Sequence, residues 1–266
     1  MADQSAIDAP GRAIPRVALV TGAARRIGRA LAEDLATQGY AVAVHYRESG
    51  TEAAAVVDSI RARGGRAASL QADLEQEDAT AGLMARAAQA LGPVGVLVNN
   101  ASTFERDDAL TATRATWDAH MEANLRAPFV LSQDLARGLP PDARGVIVNL
   151  LDQRVWNLTP YFTSYTVSKS ALWTLTRTLA LALAPRIRVN AIGPGPTLPS
   201  TRQDAAQFRR QGDLTPLRRI ATVAEICAAL RFILAAPSMT GQMIALDGGQ
   251  HLGWAQESGT RPQPEE

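Results

Sequence analysis

The sequence predicts a single doubly wound α/β domain, a seven-stranded parallel sheet with helices on both faces. Three observations carry that expectation. Short runs rich in Val and Ile alternate with longer amphipathic stretches. Most short runs are apolar throughout rather than at every second position, as strands covered on both faces require. Gly39, Gly64 and Gly92 fall where helical patterns end, at positions suited to left-handed caps.

The strand candidates are 16–20, 41–46, 67–71, 94–99, 145–150, 187–192 and 243–246. Between them lie helical patterns at 26–38, 51–63, 75–91, 116–139, 165–184 and 223–235. This alternation implies a parallel, Rossmann-type sheet spanning 16–252. Residues 1–15 and 253–266 read as polar tails. The least regular stretch, 193–217, is rich in Pro, Gly and polar residues. It follows a strand's carboxyl end, so it is a candidate substrate loop.

The chain has 266 residues, 46% of them apolar, enough for one sizeable core. Its formal net charge is +1 with both signs interspersed, which argues against nucleic acid or an anionic membrane as partner. No apolar run reaches membrane-spanning length, and the first fifteen residues lack the basic-then-apolar order of a signal peptide, so a cytoplasmic location is expected. The one cysteine, Cys227, sits in an apolar run and reads as a core thiol. His45, His120 and His251 lack metal-ligand spacing, so no metal is expected. Every basic residue except Lys169 is arginine. The exception singles out a place where a compact ammonium is needed and a planar guanidinium will not serve.

The first strand runs into Thr21-Gly22-Ala23-Ala24-Arg25-Arg26-Ile27-Gly28 and then a helix. Glycines let such a turn approach a pyrophosphate, which rests on the helix amino end. The second strand ends in His45-Tyr46-Arg47, where NAD sites usually carry an acid for the ribose hydroxyl. Arg26 and Arg47 can together clasp a 2′-phosphate, so the expected cofactor is NADPH. The competing reading makes Arg47 a solvated charge and gives the ribose to Glu48. Asp73, followed by Leu74, can accept from an adenine amino group or cap the next helix. Asn99-Asn100-Ala101 ends the fourth strand and Asp152 follows the fifth. Tyr165 and Lys169 stand four apart on one helical face, where an ammonium can stabilise a phenolate for acid–base work.

With these motifs in view, and with Asn124, Pro194-Gly195, Thr240-Gly241-Gln242 and Asp247-Gly248-Gly249, the chain resembles the short-chain dehydrogenase/reductases from about residue 16 to 249. The resemblance implies Tyr165 as general acid–base, Lys169 as its electrostatic partner and a ribose contact, and Asn124 as holder of a water in a proton relay. It further implies Gly22, Arg25, Ile27, Gly28, Asn99, Asn100, Ala101, Pro194 and Gly195 as cofactor contacts. The family's usual serine, thirteen residues before the tyrosine, is replaced by Asp152. An ionised carboxylate cannot donate to a substrate oxygen. That departure resembles the pteridine and dihydromonapterin reductases, as do Arg26, the 45–47 stretch and the aromatic Phe104.

The implied reaction is NADPH-dependent reduction of a dihydropterin or dihydrofolate to the tetrahydro form, by a homotetramer. The pterin would lie between nicotinamide and Phe104, its edge met by Ser102, Asp152 and Tyr165. Phe104 also reads as an ordinary loop anchor. Arg154, Trp156, Tyr161 and Leu198 are expected to shape the far end of the pocket. His251 and Trp254 lie near an end that packs at subunit interfaces in related enzymes. Two other readings stay open. One is a short-chain reductase for a 3-oxoacyl or sugar-like carbonyl. The other is a non-catalytic NADP(H)-binding sensor.

Overall fold

The computed structural model describes residues 13–200 and 203–252. Seven parallel strands form one sheet: β1 Val17–Val20, β2 Ala41–Tyr46, β3 Ala67–Gln71, β4 Val96–Asn99, β5 Gly145–Leu150, β6 Ile187–Pro194 and β7 Met243–Leu246. Their spatial order is β3-β2-β1-β4-β5-β6-β7. Alternate side chains of the central strands enter opposite helical layers, which is why β1, β4 and β5 are buried throughout while the edge strand β3 is not. Ala18, Val20, Val42, Val44, Val96 and Val98 pack under α1 (Arg26–Thr37), α2 (Gly50–Ala62) and α9 (Val223–Ala235). Leu19, Ala43, Leu97 and Ile147 face α4 (Leu83–Leu91), α6 (Ala127–Gly138) and α7 (Thr163–Ala182). The chain leaves β1 toward β2 on one side and returns at β4 on the other. The carboxyl ends of β1 and β4 therefore flank the switch-point crevice where such sheets hold ligands.

Several expected boundaries shift for local reasons. The pattern at 75–91 divides at Gly82 into α3 (Glu77–Ala81) and α4. The pattern at 116–139 starts earlier, at α5 (Arg114–Met121), because Thr113 and Thr116 form a reciprocal capping box. It then passes through a π-helical turn, Glu122–Arg126, before α6. The stretch 193–217 holds a helix, α8 (Ala205–Asp213), capped by Asp204 and Gln207. Gly39, Gly64 and Gly92 do take positive φ, at 82°, 81° and 104°. Ala13 accepts from the Arg144 N–H at 3.3 Å, so residues 13–15 belong to the folded domain rather than to a tail. Residues 1–12 and 253–266, with Trp254, lie outside the described residues. Among the described residues no helix is long and apolar enough to cross a membrane.

A buried amide chain ties the site's framework together. Asn99 Nδ2 donates to Asn149 Oδ1 at 2.8 Å, and Asn149 Nδ2 donates to Thr176 Oγ1 on α7 at 2.8 Å. Removing the middle member strands a buried donor and acceptor, which typically costs ~1–3 kcal/mol. We expect Asn149→Ala to lower the unfolding free energy by about that amount in urea titrations. A loss below about 0.5 kcal/mol would show that the chain carries no net stability.

Candidate active site

A cavity of about 850 Å³ opens over the switch point. It is lined by the turn after β1 (Gly22 and Arg25 to Gly28), by the ends of β2 and β3 (His45 to Arg47, Asp73, Leu74) and by Asn100 to Glu105 after β4. The turn is packed to backbone contact. A Cβ on Gly28 would stand 2.2 Å from the Gly22 carbonyl oxygen and 2.5 Å from Asn100 Nδ2. Gly22 has φ 62°, a left-handed conformation open to glycine. Asn100 secures the turn, donating from Nδ2 to the carbonyls of Thr21 (2.8 Å) and Gly22 (3.2 Å). Arg25, at the N-cap of α1, makes no side-chain cap, so the first N–H groups of α1 face the cavity without one.

His45 supports this turn from below. Its Nδ1 accepts from the Gly22 N–H at 3.0 Å, so Nε2 carries the proton and donates to the Ala72 carbonyl at 3.1 Å. Burial pushes its pKa down to about 4, which keeps the ring neutral. Asp73 turns its carboxylate onto the Glu75 N–H at 3.1 Å, a local turn contact.

Beyond Phe104 lie the predicted reacting groups. Tyr165 Oη donates to Asp152 Oδ2 at 2.9 Å. Arg154 holds the same carboxylate through its backbone N–H to Oδ1 (2.8 Å) and its guanidinium to Oδ2 (3.4 Å). Lys169, fully enclosed one turn after Tyr165, donates from Nζ to the Leu150 carbonyl at 2.8 Å. Burial lowers its pKa to about 8, against the pull of Asp152. Its Nζ is 5.8 Å from the Tyr165 ring centre. Phe104 stacks on Phe162 (centroids 4.5 Å, planes 9° apart) and meets Tyr165 edge-on at 4.6 Å. The Arg154 guanidinium lies over both phenylalanine rings.

Some predicted site residues fall elsewhere. Asn99 points into the sheet toward Asn149, since strand alternation turns it away from the cavity that Asn100 faces. Asn124 spends its whole amide on protein: Nδ2 donates to the Thr103 carbonyl and Ser168 Oγ, and Oδ1 accepts from Thr103 N–H and Ser102 Oγ. These four bonds fill the hydrogen-bonding capacity of the side-chain amide. Arg26 and Arg47 are not aimed at one point. Arg26 donates to the carbonyls of Leu198 and Pro199 in the loop after β6, while Arg47 pairs with Glu75 at 3.0 Å and Glu48 at 3.5 Å. Trp156 lies outside the cavity lining, packed edge-on to Trp173 and His251. Pro194 ends β6 beside β7 and Gly195 follows it, where a Cβ on Gly195 would meet Asp247 at 2.8 Å. Phe162, Glu75 and the carboxylate contacts of Arg154 were not foreseen. The Asp152-Gln153-Arg154 turn was readable as an Asx turn, but nothing local announced Phe162.

The chain belongs to the short-chain dehydrogenase/reductases. Residues 22–251 match the family model described as enoyl-(acyl carrier protein) reductase. Among curated relatives, a 3-oxoacyl-(acyl-carrier-protein) reductase, FabG, of Staphylococcus epidermidis is 32% identical over 88% of this chain and 98% of its own length. Two solved structures are more similar. The alternative dihydrofolate reductase 1, FolM, of Brucella suis, solved with NADP, is 51% identical, with TM-score 0.87 over 90% of this chain and 96% of that one. Its Brucella canis counterpart, also with NADP, is 49% identical, with TM-score 0.89 over 93% of this chain and 98% of that one.

The buried ammonium gives a pH signature. Lys169 titrates near 8 when folded and near 10.5 in its unperturbed state. Between those values the unfolded chain holds a proton that the folded chain has released. Stability from this group is therefore greatest above 10.5 and is lost as pH falls through 8. We expect wild type to gain stability relative to Lys169→Met between pH 8 and 10, by urea titration. Parallel curves for the two proteins would contradict a depressed lysine.

Proposed function

We propose that this chain is an NADPH-dependent pterin reductase, converting a dihydropterin or dihydrofolate to its tetrahydro form. The observation that carries this reading is the 2.9 Å bond between Tyr165 Oη and Asp152 Oδ2 beside Phe104. Alcohol–ketone chemistry wants hydrogen-bond donors around the substrate oxygen. An ionised carboxylate only accepts, so Asp152 suits a heterocycle that presents N–H groups along its edge. The FolM structures at 51% and 49% identity support the same reading.

The cavity fits a dinucleotide. The uncapped start of α1 and the close-packed Gly22–Gly28 turn suit a pyrophosphate. Arg47, at the end of β2, and Arg25, paired with Glu52 of α2 at 3.7 Å, line the rim suited to a 2′-phosphate. Arg26, turned to the substrate loop, is set aside from that role. When bound, the reduced nicotinamide supplies a hydride. Tyr165 gives its proton to the ring nitrogen of the C=N bond being reduced. Asp152 fixes the phenol and takes up an edge N–H of the pterin. Lys169, charged below about pH 8, stabilises the phenolate left behind. Ser102 and Phe104 line the space between cavity and Tyr165 and would hold the ring's edge and face.

A second reading, reduction of a 3-oxoacyl thioester, is favoured by the curated relatives at 32% identity. NADPH oxidation measured against dihydropterins, dihydrofolate and a 3-oxoacyl thioester separates the two. We expect turnover with the dihydro substrates only, and its loss by on the order of a hundredfold in Asp152→Ser. Thioester turnover without dihydropterin turnover would replace the first reading by the second. For the cofactor, Arg47→Ala should weaken NADPH by roughly tenfold and leave NADH unchanged in fluorescence titrations. An equal change for both nucleotides would remove Arg47 from 2′-phosphate recognition.

A further inference from the structure

Behind Phe104 and Tyr165 lies a second polar cluster that the reaction above does not use. His120 of α5, Ser164 of α7 and Asp107 of the loop after β4 are all enclosed. We propose that they form a one-way hydrogen-bond chain whose polarity positions the aromatic wall and the catalytic tyrosine, which makes His120, Ser164 and Asp107 positioning residues for the pterin-reducing site; this rests on the substrate reading above.

The direction follows from one backbone group. The Glu105 N–H donates to His120 Nε2 at 3.0 Å, and an amide cannot reverse its role. Nε2 is therefore bare and Nδ1 bears the proton. Nδ1 donates to Ser164 Oγ at 2.7 Å, and the Ser164 hydroxyl must then donate onward, to Asp107 Oδ2. Asp107 Oδ1 accepts the Ser164 N–H at 3.2 Å, and the Asp107 carbonyl accepts the Phe162 N–H at 2.7 Å. Phe162, the N-cap of α7, has φ 58° and gives the helix no side-chain cap, so Asp107 supplies the cap from the opposite loop. Burial also lowers the His120 pKa, against Asp107, a backbone hydrogen bond with Thr116, Glu105 and Glu75.

What the chain touches gives it consequence. One end fixes the backbone next to Phe104. The other fixes Phe162, against which Phe104 stacks, and the residue before Tyr165. The His120 ring itself stands edge-on to Tyr165 at 6.0 Å. None of the three lines the turn after β1. Disturbing the chain should therefore move the substrate half of the site and spare the cofactor half.

Asp107→Asn tests this with the change of one buried oxygen to an amino group. If the new N–H₂ faces Ser164 Oγ, the hydroxyl must turn to His120 Nδ1. The ring proton then moves to Nε2, where it meets the Glu105 N–H, donor against donor. If the amide flips, its N–H₂ meets the Ser164 N–H instead. Either way a buried donor is stranded. We expect dihydropterin kcat/KM to fall by on the order of tenfold, with NADPH affinity changed less than about twofold. Ser164→Ala, which breaks the chain without opposing donors, should lose less.

An independent readout comes from ¹⁵N spectra of the histidine rings in the wild type. His120 should be the Nδ1–H tautomer and His45 the Nε2–H tautomer, with Asp107→Asn altering His120 alone. Unchanged dihydropterin kcat/KM in Asp107→Asn, or an Nε2–H tautomer of His120 in wild type, would overturn the proposal. Absence of dihydropterin turnover by the wild type would overturn the substrate reading instead, and the wild-type tautomer would still decide the chain.

Discussion

The seam between β5 and α7 is the constraint on which the site depends. The helix runs back along the strand's end, and three polar rungs cross between them. Asn149 bonds Thr176, the Leu150 carbonyl accepts from Lys169, and Asp152, just past the strand, accepts from Tyr165. Tyr165, Lys169, Leu172 and Thr176 lie at helical spacing on one buried face. The rungs pin that face in rotation and in translation at once. A turn of the helix by one residue would carry the ammonium and the phenol away together. The positions of the phenol and the ammonium are therefore set by the same register that closes the core.

That seam also explains why a single lysine survives in a chain otherwise furnished with arginine. Lys169 is enclosed and its Nζ meets the Leu150 carbonyl. A guanidinium there would bring five N–H donors where the ammonium brings three. The lysine tolerates enclosure by giving up part of its basicity, which an arginine cannot do. Arginine is used where several acceptors or a flat face are available. Arg26 spans two loop carbonyls, and Arg154 joins the Asp152 carboxylate to two aromatic faces.

Most of this framework was legible in the sequence because it is apolar and regular. The bounds of β2, β3, β5, β7 and α9 coincide with their hydrophobic runs. The Tyr165–Lys169 pair follows from helical spacing alone. What escaped was governed by contacts distant in sequence or by polar local chemistry. α8 is polar and buries only Gly212, and its start is marked by the Asp204–Gln207 capping box. The π-helical turn around Asn124 leaves no mark in hydropathy. Asn99 and Asn100 are identical in type, and only strand phase sends one into the sheet and the other to the turn. Trp156 sits near Asp152 in sequence, yet its ring packs on Trp173 and on His251. Arg26 was read from its position in the glycine turn, but its left-handed backbone, φ 55°, accompanies a side chain bonded to the loop after β6 instead.

The two buried histidines show how the site divides. Each ring joins a backbone donor to an acceptor, and burial lowers the pKa of each. They use opposite nitrogens. His45 takes the Gly22 N–H on Nδ1 and so steadies the turn after β1. His120 takes the Glu105 N–H on Nε2 and so steadies the loop after β4. Neutral imidazole suits both posts because it alone among side chains offers a rigid donor and acceptor on opposite edges of one small ring. Protonation would spoil either bridge, since the bare nitrogen would become a second donor facing an amide. The turn after β1 and the aromatic wall are thus braced by separate devices on opposite sides of the switch point. The two braces share no hydrogen-bonding group, one resting on the Gly22 N–H and the Ala72 carbonyl and the other on the Glu105 N–H and Ser164 Oγ.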